Sequence, residues 1–351
     1  MQVVAELQYD RGNQVGVGQG MNSLVYLAYD PQLGGQFAVK EIEKNKFGND
    51  IALYFAEAQV MFATAHPNIV PVQYACQTAD HVVLAMPYFV KGSLALRICD
   101  APIPINEVIR IAQGVLQGLV RIHRAGFIHF DLKPSNVLFD NVDAPMVADF
   151  GQSRRILANG VVQVPPMYCH AIPPEVWTAG VGSTLSDIYQ AGLLLYRAVN
   201  GDPMYSAQFA NLDDATVRQR IIAGKLPDRK LFLPHVSKRL RTIIRKALSV
   251  SPSQRYQSAA ELSSAVARVQ PGINWRTTQK GNGELSWQAE RLGKADLEVE
   301  LVASGNGGWH VRVWTVDRNT RRAKNRPNYW RTDLMHTDAM QHLKGLFASL
   351  V

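Results

Sequence analysis

The chain has 351 residues, which is enough for about two to three domains that each bury a core. Its composition, 47% hydrophobic and 19% charged, is ordinary for a soluble globular protein, and its net charge of +8 favours acidic partners. Three cysteines without a CxxC spacing argue against a disulfide framework and against a thiolate metal site.

The start of the chain carries acidic residues and lacks the basic and then apolar segments of a secretion signal. The longest nearly apolar stretch, residues 189–199, is far shorter than the roughly 20 residues that a membrane span needs. We therefore expect a cytoplasmic protein without a membrane span.

The first ninety residues have mainly the patterns of strands. Residues 14–30 predict a strand, a glycine-rich turn and a second strand, and "GQFAVKEI" (35–42) alternates as a third strand. Residues from about 50 to 65 have the apolar spacing of a helix, which ends at "HPN". "HVVLAMPYFVKGSL" (81–94) predicts a buried strand that runs into a turn.

Helices dominate the next part of the chain. Residues 106–126 predict a long amphipathic helix that ends at Gly126, and "PMVADFGQS" (145–153) predicts a short strand that leads into a loop. Further helices are predicted at 186–199, about 213–223, 237–249 and 258–269. Strands followed by helices predict two unequal lobes of an α+β architecture.

The composition changes at Pro271 and Gly272. Beyond them, "ELSWQAERL", "ADLEVELVAS" and "WHVRVWTVD" alternate with a period of two, and residues 338–350 have the spacing of a helix. These patterns predict a small, separate β-rich accessory domain over residues 271–351, closed by one helix.

Residues near the N-terminus have the types that contact phosphates. Gly18-Gln19-Gly20, in a turn between two strands, would let backbone N–H groups approach a phosphate, although a tight hairpin explains it equally well. Lys40, at the end of "AVK", could neutralise phosphate oxygens, and Glu57 on the following helix could fix its position. Exposed charges on a strand and a helix are the structural alternative.

The stretch "HFDLKPSN" (129–136) places a carboxylate, an ammonium and an amide close together. Asp131 could accept a proton from an attacking hydroxyl, Lys133 could stabilise charge on a transferred phosphoryl group, and Asn136 could ligate a metal. Asp149 in "ADFG", at a strand end, is a suitable oxygen ligand for Mg²⁺. The alternative for each short motif is a polar loop or a simple turn.

The order and spacing of these motifs resemble the eukaryotic-like Ser/Thr protein kinase family over about residues 10–270. The glycine-rich loop of that family reads GxGxxGxV; aligned on Val25, it gives Gly18, Gly20 and Ser23, so that a serine replaces the third glycine. Its strand lysine is matched by "FAVK", and Glu57 lies nine residues before the His of "HPNIV", as the family's helix glutamate does.

The stretch "LAMPYFVKGSL" resembles the segment that grips adenine in this family. Met86 then takes the gatekeeper position, and the main chain of Pro87 and Phe89 would bond the base. The ATP-binding residues that the resemblance implies are Gly18, Gln19, Gly20, Ser23, Val25, Ala38, Lys40, Met86, Pro87, Phe89 and Leu138.

The family's HRDLKxxN and DFG motifs are matched by "HFDLKPSN" and "DFG". The resemblance implies catalytic roles for Asp131, Lys133, Lys40 and Glu57, and Mg²⁺ binding by Asn136 and Asp149. It implies structural or regulatory roles for His129, Phe150, Gly151, Glu175 of "IPPE", Asp187 of "SDIYQAG", and Arg255, which pairs with Glu175.

What the resemblance implies is a bilobal kinase domain over residues 1–270, with a β-rich N-lobe over about 1–90 and a helical C-lobe over about 91–270. Such a domain uses ATP and Mg²⁺ to phosphorylate Ser or Thr of a protein substrate, which can be the kinase itself. A pseudokinase scaffold that binds nucleotide and a small-molecule kinase on the same fold are the alternatives.

Two residues depart from the family pattern. Phe130 replaces the Arg of HRD, which in the family often pairs with a phosphate on the activation segment, and that segment contains no Thr and only Ser153 as a Ser. We therefore expect activity without phosphorylation of the segment. Tyr168 stands where Ser/Thr kinases usually have a Thr that contacts the catalytic loop, which leaves its effect on substrate choice open.

The accessory domain has a basic cluster, "DRNTRRAKNRPNYWR" (317–331), in which five arginines and a lysine lie beside Tyr329 and Trp330. A solvated charged loop is the plain explanation. Among functional interpretations, docking of a protein partner is preferred, with nucleic acid as the alternative.

Overall fold

The structure is a computed structural model that describes residues 7–15, 23–47, 53–165, 169–270, 272–280 and 282–350. The chain divides into two compact units. The first unit contains Met1–Leu94, Gly114–Met167 and Val181–Asp187, and the second contains Ala95–Gln113, Tyr168–Gly180 and Ile188–Val351.

The N-terminal part is an antiparallel sheet with one helix. Its elements are β1 (Asp10–Val15), β2 (Leu24–Asp30), β3 (Gly35–Glu43), α1 (Ala56–Ala63), β4 (Tyr74–Gln77), β5 (His81–Pro87) and, after the sheet, α2 (Leu94–Ile98). The strand order is β1-β2-β3-β5-β4. The predicted third strand is confirmed by β3, whereas the helix begins at Ala56, later than the apolar spacing predicted.

Alternation along β3 gives the sheet two different faces. Phe37 and Val39 point into one apolar cluster, together with Val83 and Ala85 of β5. Lys40, the residue after Val39 on β3, points to the opposite face. A buried Lys40 on this face therefore needs partners, which are described below.

The middle of the chain is mainly helical, as predicted. Its elements are α3 (Ile105–Arg124), β6 (Phe127–Ile128), β7 (Val137–Phe139), β8 (Pro145–Val147), β9 (Arg154–Arg155), β10 (Val162–Gln163), α4 (Pro174–Ala179), β11 (Val181–Gly182), α5 (Thr184–Asn200), α6 (Asp202–Ser206), α7 (Asp214–Ile222), α8 (Lys238–Ala247) and α9 (Ala259–Ala267). The side chains of Asp213, Ser237 and Ser258 cap α7, α8 and α9 by accepting a backbone N–H of the first turn. Of the strands in the short pairs β6–β9, β7–β8 and β10–β11, the sequence pattern predicted only β8, as the short strand within residues 145–153.

The C-terminal part is a second antiparallel sheet that is covered by a helix. Its elements are β12 (Arg276–Gln279), β13 (Leu285–Ala289), β14 (Asp296–Ala303), β15 (Trp309–Val316), β16 (Ala323–Asn325), β17 (Arg331–Leu334) and α10 (His336–Ser349). The strand order is β12-β13-β14-β15-β16, and β17 also pairs with β15. The three longest strands and the helix are those that the alternating sequence predicts, so the predicted α+β class with a further β-rich region is confirmed.

The second unit contains both this sheet and the helices α7 to α9, and aromatic side chains connect them. The ring of Phe347 on α10 lies against Trp275 and Trp287, with ring centroids 5.0 and 5.1 Å apart. The indole Nε1 of Trp287 donates to Nδ1 of His235, 3.0 Å away, in the segment before α8. Burial lowers the pKa of His235 to about 3, so this imidazole is neutral at ordinary pH.

Candidate active site

Three charged side chains of the first unit meet at the face of β3 that carries Lys40. The ammonium Nζ of Lys40 donates to both oxygens of Glu57 on α1, at 2.8 and 2.9 Å, and to Oδ1 of Asp149, at 2.8 Å. The backbone N–H of Phe150 donates to Oε1 of Glu57 at 3.2 Å. One lysine thus connects the strand, the helix and the loop after β8.

Burial and charge act in opposite directions on these groups. Burial favours the neutral form of Asp149, but the ammonium of Lys40 outweighs it and lowers the pKa of Asp149 to about 2. For Lys40, burial opposes the charged form, yet Asp149 and Glu57 raise its pKa above the ordinary value. Burial raises the pKa of Glu57. The cluster therefore keeps a charged lysine and a charged aspartate in direct contact.

The loop between β6 and β7 holds the second group of polar side chains. Oδ2 of Asp131 accepts Nζ of Lys133 at 2.8 Å and Nδ2 of Asn136 at 2.9 Å. Nδ2 of Asn136 also donates to the backbone oxygen of Asp131. The backbone N–H of Ala148 donates to the backbone oxygen of Asn136. Burial raises the pKa of Asp131, and Lys133 acts against this shift. A carboxylate with a raised pKa is better suited to accept a proton near neutral pH.

The buried carboxylate of Asp187 fixes the backbone of this loop. Its oxygens accept the backbone N–H groups of His129 and Phe130, both at 2.8 Å, and Nε2 of His123 lies 2.8 Å from Oδ2. Phe130 has a φ of 63°, in the left-handed region that side chains other than glycine rarely adopt. Three hydrogen-bond partners on one carboxylate offset this backbone strain.

The hydrogen bonds of His129 identify its tautomer. The backbone N–H of Asp131 donates to Nδ1 at 3.2 Å, so Nδ1 carries no proton, and Nε2 lies 3.2 Å from the backbone oxygen of Ala148, to which it donates. The ring packs edge-to-face against Phe150, with centroids 5.0 Å apart. His129 is therefore a buried support of the loop.

The side chain of Phe130 is fully buried. It belongs to an apolar cluster with Ile128 and Val162, and Gly182 on β11 lies directly beside it. A Cβ atom on Gly182 would lie only 2.5 Å from Cε1 of the Phe130 ring, so only glycine fits there. The position of the expected arginine is thus occupied by an aromatic ring that packs against the strands β10 and β11.

Four predicted nucleotide-binding residues lie on one face of the N-terminal sheet. Val25 is the cross-strand neighbour of Lys40, and Ala38 is that of Met86, so that all four side chains share a face. This arrangement brings Lys40 and the apolar side chains together as the sequence predicted.

The segment after β5 lies close to β7. The backbone N–H of Gly92 donates to the oxygen of Phe89 at 3.0 Å, and Ser93 pairs with Leu138 as an isolated bridge. Pro87 is the last residue of β5 and has no N–H to donate. Leu138, predicted to contact the base, is therefore adjacent to the chain that follows Pro87 and Phe89.

Four of the predicted residues lie outside the residues that the structure describes, namely Gly18, Gln19 and Gly20 of the glycine-rich turn and Tyr168. Ser23 directly precedes β2. The roles predicted for the glycine-rich turn and for Tyr168 stay predictions.

Asn136 and Asp149 have the chemistry of Mg²⁺ ligands. Both present oxygen atoms, and Mg²⁺ in proteins is commonly bound by one or two carboxylates together with substrate phosphates. Only Oδ1 of Asp149 is engaged by Lys40, and Oδ2 has no hydrogen-bond partner among the described residues. The residues present therefore fit a Mg²⁺ ion that arrives with a nucleotide.

Glu175 and Arg255 form the predicted pair within the second unit. The guanidinium of Arg255 donates to both carboxylate oxygens of Glu175, at 2.8 and 2.6 Å, and to the backbone oxygen of Ser249 at 2.9 Å. Arg255 is fully buried and also lies over the ring of Tyr189. This bidentate pair connects α4 with the segment before α9.

Sequence reasoning missed His123 and Gly182. His123 is one residue of a basic helix end, and its pairing with Asp187 depends on residues 64 positions apart. Gly182 is an isolated glycine in the sequence, and the need for glycine at this position follows only from the Phe130 ring that packs beside it. Neither had a local signal beyond an unusual residue type.

Comparison with known proteins gives the same assignment as the geometry. The protein kinase domain family matches residues 11–266. Similar curated proteins include the DNA damage-responsive serine/threonine-protein kinase RqkA of Deinococcus radiodurans, 26% identical over 342 residues, which cover 86% of this chain and 50% of the relative. Serine/threonine-protein kinase PknB of Mycolicibacterium smegmatis is 31% identical over 278 residues, 76% of this chain and 43% of the relative.

A third relative, serine/threonine-protein kinase PrkC of Bacillus subtilis, is 26% identical over 256 residues, which are 71% of this chain and 39% of that protein. The chain thus spans half or less of the length of the curated relatives that it matches. Within the described residues, none of the helices combines the length and the apolar character of a membrane span. The match over residues 11–266 and the paired side chains of the site agree: the chain belongs to the protein kinase family, among the serine/threonine protein kinases.

Proposed function

We propose that the protein is an active, cytoplasmic kinase that transfers the γ-phosphoryl group of ATP, with Mg²⁺, to Ser or Thr hydroxyls of proteins. The observation that carries this proposal is the cluster of Lys40, Glu57 and Asp149, with Nζ of Lys40 2.8 Å from both carboxylates. A scaffold without catalytic activity has no need for a buried lysine held between two carboxylates.

The contacts of each side chain support a role in this transfer. Lys40, held by Glu57, binds the α- and β-phosphates of ATP, and Asp131 accepts the proton of the substrate hydroxyl and orients it. Lys133 neutralises charge on the transferred group. Asn136 and Asp149 hold Mg²⁺, which when bound supplies further charge neutralisation at the phosphate oxygens. Most of the rate enhancement comes from positioning and electrostatics.

Activity without phosphorylation of the activation segment is part of this proposal. In place of an arginine that would need a phosphate, Phe130 packs into the apolar cluster with Val162, and β10 pairs with β11. Ser153, the only serine of the segment, is buried, and its Oγ lies 3.4 Å from the backbone oxygen of His129. A kinase cannot reach this hydroxyl while the segment is folded.

We also propose that residues 271–351 act as an accessory domain that docks a protein partner. Support comes from the packing of α10 against the sheet, where the ring of Phe347 lies against Trp287, and from the exposed basic residues Arg322, Lys324 and Arg326. The kinase domain would then extend over residues 1–270, as the sequence predicts.

The direct experiment compares the purified chain with Asp131→Asn in the presence of radiolabelled ATP and Mg²⁺, and maps phosphosites by mass spectrometry. We expect label on Ser or Thr of the protein itself or of a generic protein substrate, and at least about a 100-fold lower rate for the variant. Nucleotide binding without any transfer by the wild type would contradict the proposal.

A further inference from the structure

Residues 218–246, which we name the basic surface, contain most of the charge imbalance of the chain. This stretch covers the end of α7, the following loop and α8. Its basic residues are Arg218, Arg220, Lys225, Arg229, Lys230, Lys238, Arg239, Arg241, Arg245 and Lys246, and Asp228 is its only acidic residue. Ten positive charges and one negative charge give +9, whereas the whole chain has +8, so the remainder of the protein is close to neutral.

Most of these cations have no carboxylate partner among the described residues. Within the part of the chain that the structure describes, only Lys246 forms an ion pair, 3.1 Å from Glu261. The guanidinium groups of Arg218, Arg229 and Arg245 donate to backbone oxygens, which carry no net charge. Unpaired cations this close together repel each other and attract anions from solution.

The positive charges in the first turn of α8 are unfavourable for the stability of the helix itself. Lys238 and Arg239 lie at its N-terminal end, where the helix dipole favours negative side chains, and the first turn contains no acidic residue. Ser237 caps the helix with its hydroxyl, so the local sequence is otherwise suited to a helix start. Cations in this turn destabilise the isolated protein, and binding of an anion would compensate for them.

The apolar side chains of α8 are all turned inward. Leu240, Ile243 and Ile244 are buried, and the exposed positions of the helix carry Lys238, Arg239, Thr242, Arg245 and Lys246. Among the described residues, none of the large hydrophobic side chains that are exposed lies within 218–246. The surface therefore lacks the apolar centre of a protein interface and the apolar side chains that insert into a membrane.

We propose that the basic surface binds the phosphate backbone of duplex nucleic acid without preference for base sequence. On a helix, the Cβ atoms of residues three or four positions apart lie about 5–6 Å from each other. Arginine and lysine side chains at such positions can therefore contact successive phosphates. Single strands are bound largely by stacking on aromatic side chains, and the basic surface exposes none. This binding is independent of the nucleotide site and places the kinase on a polyanion.

The test measures fluorescence anisotropy of a fluorescein-labelled DNA duplex of mixed sequence with the full chain at increasing salt. The variant is Lys230→Gln, Lys238→Gln and Arg239→Gln together, because these three side chains are exposed and form no side-chain hydrogen bond or ion pair among the described residues. The matched control is Arg322→Gln, Lys324→Gln and Arg326→Gln in the accessory domain, which removes the same charge from exposed positions.

We expect the first variant to bind at least about tenfold more weakly at low salt, with a slope of log K against log salt smaller by about 2–3, since each phosphate contact contributes about 0.9. The control should stay within about twofold of wild type. Unchanged binding by the first variant, or an equal loss in both variants, would overturn the proposal. The single variant Arg239→Gln gives a smaller loss in the same direction, and thermal unfolding verifies that each variant is folded.

Competition experiments distinguish duplex nucleic acid from other polyanions as the ligand of the basic surface. Unlabelled duplex should displace the labelled duplex at a lower concentration of charge than a single strand of the same length or poly-glutamate does. Displacement by poly-glutamate at equal charge concentration would instead indicate docking of acidic proteins and would overturn the assignment to duplex nucleic acid.

Discussion

The cations of the candidate active site and those of the basic surface are arranged in opposite ways. Lys40 is buried and contacts two carboxylates, and Lys133 contacts Asp131, whereas Lys238 and Arg239 are exposed without a carboxylate partner in the described structure. A charge that must act at one atom of a substrate needs a fixed position, which partners provide. A charge that attracts an extended polyanion needs no fixed position and is best left unpaired.

The largest effect is expected for Lys40→Met, which removes the cation of the paired site. Phosphoryl transfer should fall by at least about 100-fold, because the nucleotide phosphates lose their fixed countercharge. Initial rates with labelled ATP measure this loss. Lys44→Met is the control, since among the described residues the polar and ring contacts of Lys44 Nζ are those with the backbone oxygen of Thr78 and the ring of Tyr54. Comparable losses in both variants would mean that Lys40 acts only through the fold.

Arg255→Met tests the difference between a buried and an exposed ion pair within the second unit. Its removal leaves the Glu175 carboxylate without its buried partner and should lower the free energy of unfolding by about 3–5 kcal/mol. Lys246→Met breaks the exposed pair with Glu261 and should change it by no more than about 1 kcal/mol. Urea unfolding followed by tryptophan fluorescence compares the two. Equal effects would show that burial does not decide the strength of these pairs.

Acidification should destabilise the contact between Trp287 and His235. The folded-state pKa of His235 is lowered to about 3 from 6.5, so between these values the unfolded chain binds the proton more tightly. This contribution to stability is present above pH 6.5 and is lost as the pH falls, by about 2 kcal/mol at about pH 5. His235→Phe should have a weaker pH dependence than wild type in unfolding measurements. The same pH dependence in both proteins would contradict the assignment.

The smallest effect concerns the fold of the basic surface itself. Arg239→Gln removes a cation from the first turn of α8 and should raise the free energy of unfolding by about 0.3–1 kcal/mol at low salt. Urea unfolding at low and high salt measures this gain, which should shrink when salt screens the charges. A loss of stability would mean that Arg239 makes contacts that support the helix.

The sequence predicted those parts of the molecule that depend on short-range patterns. Alternation identified β3, β14 and β15, and the order and spacing of Lys40, Glu57 and Asp149 predicted a site whose side chains the structure brings into contact. Long-range partners were not predictable. His123 with Asp187 and Gly182 with Phe130 are pairs that only the folded chain brings into contact.

The sequence pattern did not predict the basic surface, for a different physical reason. Its charges are spread over two helices and a loop, with apolar residues such as Leu240 and Ile243 between them, so the sequence contains no continuous run of like charge there. Its significance depends on missing carboxylate partners, and these can only be assessed once the fold is known. The basic cluster at residues 317–331 was predicted from the sequence because its charges are contiguous, although one of its arginines, Arg318, is paired with Asp296.

The measurement that tests the central proposal most directly is the progress curve of phosphoryl transfer by protein treated with a phosphatase, beside Ser153→Ala. Because Phe130 packs the activation segment without a phosphate, we predict transfer that is linear from the start, at equal rates for both proteins and for untreated enzyme. A lag after phosphatase treatment that prior incubation with ATP removes, or loss of activity in Ser153→Ala, would contradict it.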